Sequence, residues 1–226
     1  MANTDPESGK RSAAKKAVSY VRDGMLIGLG TGSTTQYFLK FLSEEVKNGL
    51  DISGIPTSRA TEKMARKLGI KISKLTNQQI DIDFDGADEV DTKGNLIKGG
   101  GGALTREKIV AASSRKFYVM VDESKISESY LSRKKLPVEI LPFLYEQTVS
   151  RIRVLCDDCE KREGFITDNG NYIVDCSFYR IDEPARLESQ IKLIPGVVEV
   201  GLFVNMATKI IVGNGNSAYE INPYKS

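Results

Sequence analysis

The strongest constraint on the fold is a rhythm: short apolar runs alternate with stretches of helical period through the first half of the chain. Apolar residues at 13, 14, 17, 18 and 21 have helical spacing, and Asp23-Gly24 stops that helix before an apolar run at 25–30. Thr31-Gly32-Ser33-Thr34 then leads into a second helical pattern carrying Tyr37, Phe38, Phe41, Leu42 and Val46. A strand near 52–56 precedes a helix with Ala60, Met64, Ala65 and Leu68 on one face, and Gly69 follows it as a C′ glycine should. Further strands are expected at 70–75, 80–85 and 117–122, with a helix over 104–113. This alternation specifies an α/β fold, an open and largely parallel sheet with helices on both faces. Ligands in such sheets bind beyond the carboxyl ends of the strands. The turns at 30–34, 85–88 and 122–125 all follow strand ends, so they can converge on one crevice.

From about residue 129 the rhythm changes. A strand at 136–141, a helix over 143–155 and a strand at 164–167 are followed by Asp168-Asn169-Gly170-Asn171, which reads as a type I′ hairpin turn. A strand at 172–178, a helix over 183–193 and a strand at 197–203 complete the order β-α-β-β-α-β of a ferredoxin-like unit. Residues 209–212 read as one more buried strand returning to the first sheet. The expected division is a first domain of 1–128 with 205–226, and a smaller second domain of 129–204.

Composition narrows the chemistry. No apolar run approaches the roughly 20 residues needed to span a bilayer, and the polar stretch 1–12 lacks the apolar region of a secretory signal. A cytoplasmic address and no membrane partner follow as expectations. Net charge is +2 with basic and acidic residues interspersed, which argues against a nucleic-acid partner and leaves a small anionic substrate open. The chain has no histidine, so a Ser-His-Asp or Cys-His centre is excluded. Proton transfer near neutral pH must then use carboxylates, Lys, Tyr, Cys or water. Cys156 and Cys159 form a CxxC, but zinc usually takes four ligands, and there is neither a histidine nor a second CxxC. They are expected to be ordinary thiols in a polar loop, with no metal.

Four segments carry possible chemistry. Gly28-Leu-Gly-Thr-Gly-Ser-Thr has the wrong spacing for a dinucleotide fingerprint and no Gly-Lys-Ser/Thr of a Walker loop. It is either an anion site at a helix N-terminus or a plain turn with Ser33 or Thr34 as N-cap. Asp85-Gly86-Ala87-Asp88-Glu89-Val90 places two aspartates at a strand end. They can bind Mg²⁺, hold sugar hydroxyls or move protons, or they can form a solvated turn. Lys98 precedes four consecutive glycines, 99–102, and then a helix containing Glu107. Such a glycine run lets backbone amides approach a ligand, at a cost in chain entropy. Lys125, in Asp122-Glu-Ser-Lys, is a further cation or a surface lysine.

In order and spacing these segments resemble the A-type ribose-5-phosphate isomerases. The likeness continues through Leu136-Pro-Val-Glu-Ile-Leu-Pro, Thr167-Asp-Asn-Gly-Asn and Ile194-Pro-Gly-Val-Val-Glu-Val-Gly-Leu-Phe, and spans about residues 13–213. It implies a Rossmann-like domain with a ferredoxin-like α+β lid, interconversion of ribose 5-phosphate and ribulose 5-phosphate without metal or organic cofactor, and a homodimer or homotetramer. Carried over by motif, Glu107 is the general base, with Asp85, Asp88 and Lys98 as its polar catalytic cluster. Thr31, Gly32, Ser33, Thr34, Gly86, Ala87, Gly99, Gly100, Gly101 and Lys125 are further substrate-binding positions, shared with Asp85, Asp88 and Lys98. The charged segment 156–163 and the tail after Val212 depart from the family pattern. Two other classes fit the bare motifs, a non-catalytic sugar-phosphate sensor and an amino-sugar deaminase. The full acidic and basic set argues against the first, and the missing histidine weakly against the second.

Overall fold

A computed structural model describes residues 5–73, 78–127 and 130–223. The chain divides into two compact units, one of residues 1–86, 106–125 and 206–226, the other of residues 87–105 and 126–205.

The first unit is built on a seven-stranded sheet. In chain order its strands are β1 (Leu26–Leu29), β2 (Ser53–Pro56), β3 (Lys71–Ile72), β4 (Ile80–Asp85), β7 (Ser114–Asp122), β14 (Lys209–Asn214) and β15 (Ser217–Ile221). The spatial order is β15-β14-β7-β4-β1-β2-β3, parallel throughout except for the β14–β15 hairpin at one edge. The strand expected at 70–75 is shorter, and its end falls outside the described residues. Its helices are α1 (Pro6–Val18), α2 (Ser33–Lys47), α3 (Arg59–Lys67) and all but the first two residues of α4 (Leu104–Ala112).

Helix α1 begins a full two turns before the apolar period does. Asp5 caps it, accepting from the amides of Glu7 and Ser8, and Pro6 opens it with a preset φ. Capping chemistry, not burial, sets this start. Gly9, Ala13, Ala14 and Ala17 then let it lie close against β14 and β7. Phe38 stacks on Phe84 with ring centroids 4.7 Å apart, and Tyr118 meets the Phe84 ring edge-on, so α2, β4 and β7 share one aromatic contact. Burying a phenylalanine there contributes about 2–3 kcal/mol.

The second unit contains β9 (Leu136–Ile140), α5 (Tyr145–Ile152), β10 (Asp158–Lys161), β11 (Tyr172–Ser177), α6 (Pro184–Lys192) and β12 (Val197–Val200). Their antiparallel sheet has the order β10-β11-β9-β12, which realises the expected β-α-β-β-α-β unit. A small sheet joins β5 (Glu89–Asp91), β6 (Leu96–Ile97), β8 (Ile126–Ser127) and β13 (Leu202–Phe203).

Two expectations fail here. Residues 164–167 are not a strand; the second strand of the unit is β10, where only Cys159 turns inward between charged neighbours. The turn at 168–171 is not type I′, because only Gly170 of its two central residues has positive φ (82°). A ten-residue connection, 162–171, therefore joins β10 to β11 in place of a tight hairpin. Among the described residues no helix is long and apolar enough to cross a membrane.

The tail after Val212, unlike the family pattern in sequence, is secured as β15. Glu220 accepts hydrogen bonds from Lys209 Nζ and the Tyr20 hydroxyl, and Lys16 lies 3.5 Å away. The Lys209 bond first, then Tyr20, holds the Glu220 carboxyl down to about 2 from its ordinary 4.5. A depressed carboxyl stabilises the fold above its unfolded value and loses that contribution as pH falls through the folded one. Stability should therefore drop between about pH 4.5 and 2 by more in the native chain than in Glu220→Gln. Urea midpoints taken across that interval check this, and parallel profiles would contradict it.

Candidate active site

The sheet order places β1 between β2 and β4, so the chain's path reverses direction across the sheet between β1 and β4. In doubly wound sheets that reversal opens a crevice at the carboxyl ends of the two strands. Gly30-Thr31 follows β1, and Asp85 ends β4. The first and second motifs thus meet where the topology leaves room.

Asp85 is buried, and its Oδ1 accepts from the amides of Thr31 (2.9 Å) and Gly86 (2.7 Å). The carboxylate lies so near β1 that a β-carbon on residue 30 would collide with it. Only glycine permits that approach. Thr31 is fixed in turn, its Oγ1 lying 2.7 Å from Thr57 Oγ1 and 2.9 Å from Ser58 Oγ, while Thr61 Oγ1 donates to Gly30 O at 2.8 Å. Gly32 is the N-cap of α2, with φ 135° and no side-chain cap bond, so Ser33 and Thr34 are not caps but first-turn residues. Ser33 is exposed and Thr34 buried.

Glu107 sits in the first turn of α4, only 2% exposed. Helix α4 connects the parallel strands β4 and β7, so it runs against them and starts at their carboxyl ends. Its Val110 packs over β1 at Gly28, on the same sheet face where Gly30 meets Asp85. Glu107 precedes Val110 by three residues and shares that helix face. Asp85 and Glu107 therefore lie on one side of the sheet at its carboxyl end. Lys125 closes the short 3-10 turn after β7, next to β4 in the sheet, and is half-buried.

Within the second unit, Asp88 donates its amide to Ile97 O at 2.8 Å, and its Oδ2 accepts from the Gly100 amide at 2.7 Å. A β-carbon at residue 100 would stand 2.7 Å from Asp88 Oδ1, so the glycine loop closes around this carboxylate. Lys98 is 2% exposed, its amide bound to Gly201 O at 2.8 Å and its Nζ 5.3 Å from the Phe203 ring centroid. Gly86 and Ala87 are half-buried, Gly99 is buried, and Gly100 and Gly101 are exposed. Glu89 belongs elsewhere: it is fully buried, accepting from Ser127 Oγ and from the amides of Ser132 and Lys134.

The sequence motifs did not disclose what braces the glycine loop. Arg162 grips Asp175 through two hydrogen bonds (2.6 and 2.8 Å) and donates to Gly100 O at 2.9 Å, while Phe165 packs against Gly102. Glu139, fully buried, accepts from Thr167 Oγ1 (2.9 Å), Asn169 Nδ2 (3.1 Å), Asn171 Nδ2 (2.8 Å) and Thr105 Oγ1. Thr105 lies in the first turn of α4. The Asp168–Asn171 segment is thus more than a turn, because its asparagines help satisfy a buried carboxylate.

Residues 53–217 match the family model of ribose 5-phosphate isomerase A, also called phosphoriboisomerase A. The chain belongs to this family. A ribose-5-phosphate isomerase A of Picrophilus torridus is 56% identical over 209 residues, covering 92% of this chain and 94% of that one. A solved D-ribose-5-phosphate isomerase in complex with phospho-erythronic acid superposes with TM-score 0.93 at 41% identity, over 96% of this chain and 99% of that one. The ribose 5-phosphate isomerase A of Methanocaldococcus jannaschii gives TM-score 0.89 at 40% identity, over 94% and 97%. The resemblance read from the motifs is thereby shown for the whole fold.

In this isomerase A chain, Glu139→Ala leaves buried amide and hydroxyl donors without an acceptor. Such a loss should lower the unfolding free energy by about 3 kcal/mol. Chemical denaturation checks this, and a change below about 1 kcal/mol would show that Glu139 does not anchor the segment.

Proposed function

We propose that this isomerase interconverts ribose 5-phosphate and ribulose 5-phosphate by moving one proton between C2 and C1 with Glu107 as general base. The observation that carries the assignment is a nearly fully buried carboxylate at the helix start, on the sheet face that also holds Asp85. In a chain without histidine a carboxylate is one of the few groups able to move a proton near neutral pH.

The furanose ring opens first. A carboxylate of the Asp85/Asp88 pair accepts the anomeric hydroxyl proton as the bond from C1 to the ring oxygen breaks, the proton passes on to that oxygen to make it the C4 hydroxyl, and the carboxylate then holds the open-chain hydroxyls. Asp85 stays oriented for this because the amides of Thr31 and Gly86 donate to its Oδ1. Glu107 takes the C2 proton, the C1 carbonyl oxygen becomes the enediolate oxygen, and Glu107 returns a proton to C1 as the carbonyl forms at C2, the C2 hydroxyl proton passing to the oxygen on C1. Lys98 and the amides of Gly99 and Gly101 stabilise the oxygen on which charge grows, each donor contributing about 3 kcal/mol, while the Gly100 amide holds Asp88 beside them. Thr31, Gly32, Ser33, Thr34 and Lys125 hold the rest of the sugar phosphate, where uncapped amides at the start of α2 suit an anion. Glutamate with an electrophilic partner serves other aldose–ketose isomerisations in the same way. The same reading makes the enzyme a cytoplasmic homodimer or homotetramer that needs no cofactor for catalysis.

Glu107→Gln should lower kcat at least about a thousandfold, the scale of general acid–base catalysis, while KM changes little. Steady-state conversion of ribose 5-phosphate without added metal reads both constants. A variant with near-normal kcat would remove Glu107 from the role of base.

A further inference from the structure

The CxxC of the sequence gains a third member in the fold. Cys159 lies in β10 directly opposite Cys176 of β11, and both are fully buried with their sulfurs 3.2 Å apart. Cys156 sits just after α5, half-buried, with its Sγ 3.5 Å from Ile152 O. The three Sγ atoms lie within 4.8 Å of one another, and all three are free thiols. Cys159 is therefore a strand residue and not the loop thiol expected from its charged neighbours.

This spacing is close to what a metal ion asks for. A tetrahedral ion bound to thiolates at about 2.3 Å holds its sulfurs about 3.8 Å apart. The widest separation here exceeds that by no more than about 1 Å, and the Cys159–Cys176 pair at 3.2 Å falls about 0.6 Å short of it, so loading asks for sub-ångström to ångström shifts of the sulfurs. Arg153 donates to the carbonyl of Cys159 through Nε (3.2 Å) and Nη2 (3.0 Å), placing a positive charge beside a group that would carry excess negative charge when loaded. The chemistry of three sulfurs favours a soft cation over a hard one.

We propose that Cys156, Cys159 and Cys176 form a three-thiolate site for a soft divalent cation of the zinc class, with solvent completing the coordination on the half-exposed Cys156 side. The site is structural: it ties the end of α5 to the β10–β11 pair within the second unit. It has no part in the isomerisation, and binding releases the protons of the thiols that become ligands.

Cobalt(II) is the probe, added to the full-length chain kept reduced. One equivalent should bind per chain, with thiolate-to-metal charge-transfer absorption and visible bands of tetrahedral cobalt, and zinc should displace it. Cys156→Ser, the substitution at the least buried of the three, should weaken cobalt binding at least about tenfold and leave kcat unchanged. Zinc should also slow alkylation of Cys156 in the native chain, a readout that needs no variant. Absence of charge-transfer bands, or equal binding by the native and Cys156→Ser chains, would overturn the proposal. So would a reduced chain that binds no cobalt and instead closes a Cys159–Cys176 disulfide under mild oxidation.

Discussion

Asp85 lies closer to the backbone at residue 30 than any side chain there would allow, and the proposed catalytic face of the first unit is arranged around that approach. The sheet order brings the ends of β1 and β4 side by side. Glycine at 30 lets the carboxylate settle against β1, and the amides of Thr31 and Gly86 hold one of its oxygens. The Thr31 hydroxyl, packed among those of Thr57, Ser58 and Thr61, keeps the turn from moving away. Helix α4 then covers the same face and presents Glu107 one turn before Val110. Two carboxylates are thus fixed by backbone and packing before any substrate arrives, which is how general-base chemistry gains from positioning.

In a chain without histidine the proposed proton transfers fall to carboxylates, and the buried acids lie in two kinds of surroundings. Asp85 and Glu107 are buried in the first unit at the sheet's carboxyl end. Glu89 and Glu139 are equally buried in the second, but each is enclosed by amides and hydroxyls that leave it a structural anchor. Burial alone does not separate these roles. The surroundings do: Glu139 is saturated by donors from the 167–171 segment, whereas Asp85 is held by the amides of Thr31 and Gly86 at the carboxyl end of the sheet.

The α/β rhythm was legible because it rests on local periods. β1, α2, β2, α3, β4 and α4 fall within a few residues of where the apolar spacing puts them. The start of α1 was missed because capping by Asp5 sets it, and its first turns carry no apolar signal. β5 and β6 escaped because strands of three and two residues leave no pattern to read. β10 was placed too late because its inward residue is a lone cysteine among charges, while Phe165 and Ile166 looked like strand. Phe165 instead packs on the glycine loop, and Ile166 is 65% exposed. The motifs named the candidate site residues, yet Arg162, Glu139 and Cys176 could not be connected to anything by spacing. Their partners lie 62, 34 and 17 residues away and meet only in the folded sheet.

The central claim, that close approach of Asp85 to β1 sets up catalysis, is tested most directly at the residue that permits it. Gly30→Ala inserts a single β-carbon where the Asp85 carboxylate now lies. If the account holds, kcat for ribose 5-phosphate falls about a hundredfold, the cost of displacing a catalytic group by roughly 1 Å, in a chain whose near-ultraviolet circular dichroism still shows native packing. A natively folded Gly30→Ala chain with unchanged kcat would contradict it.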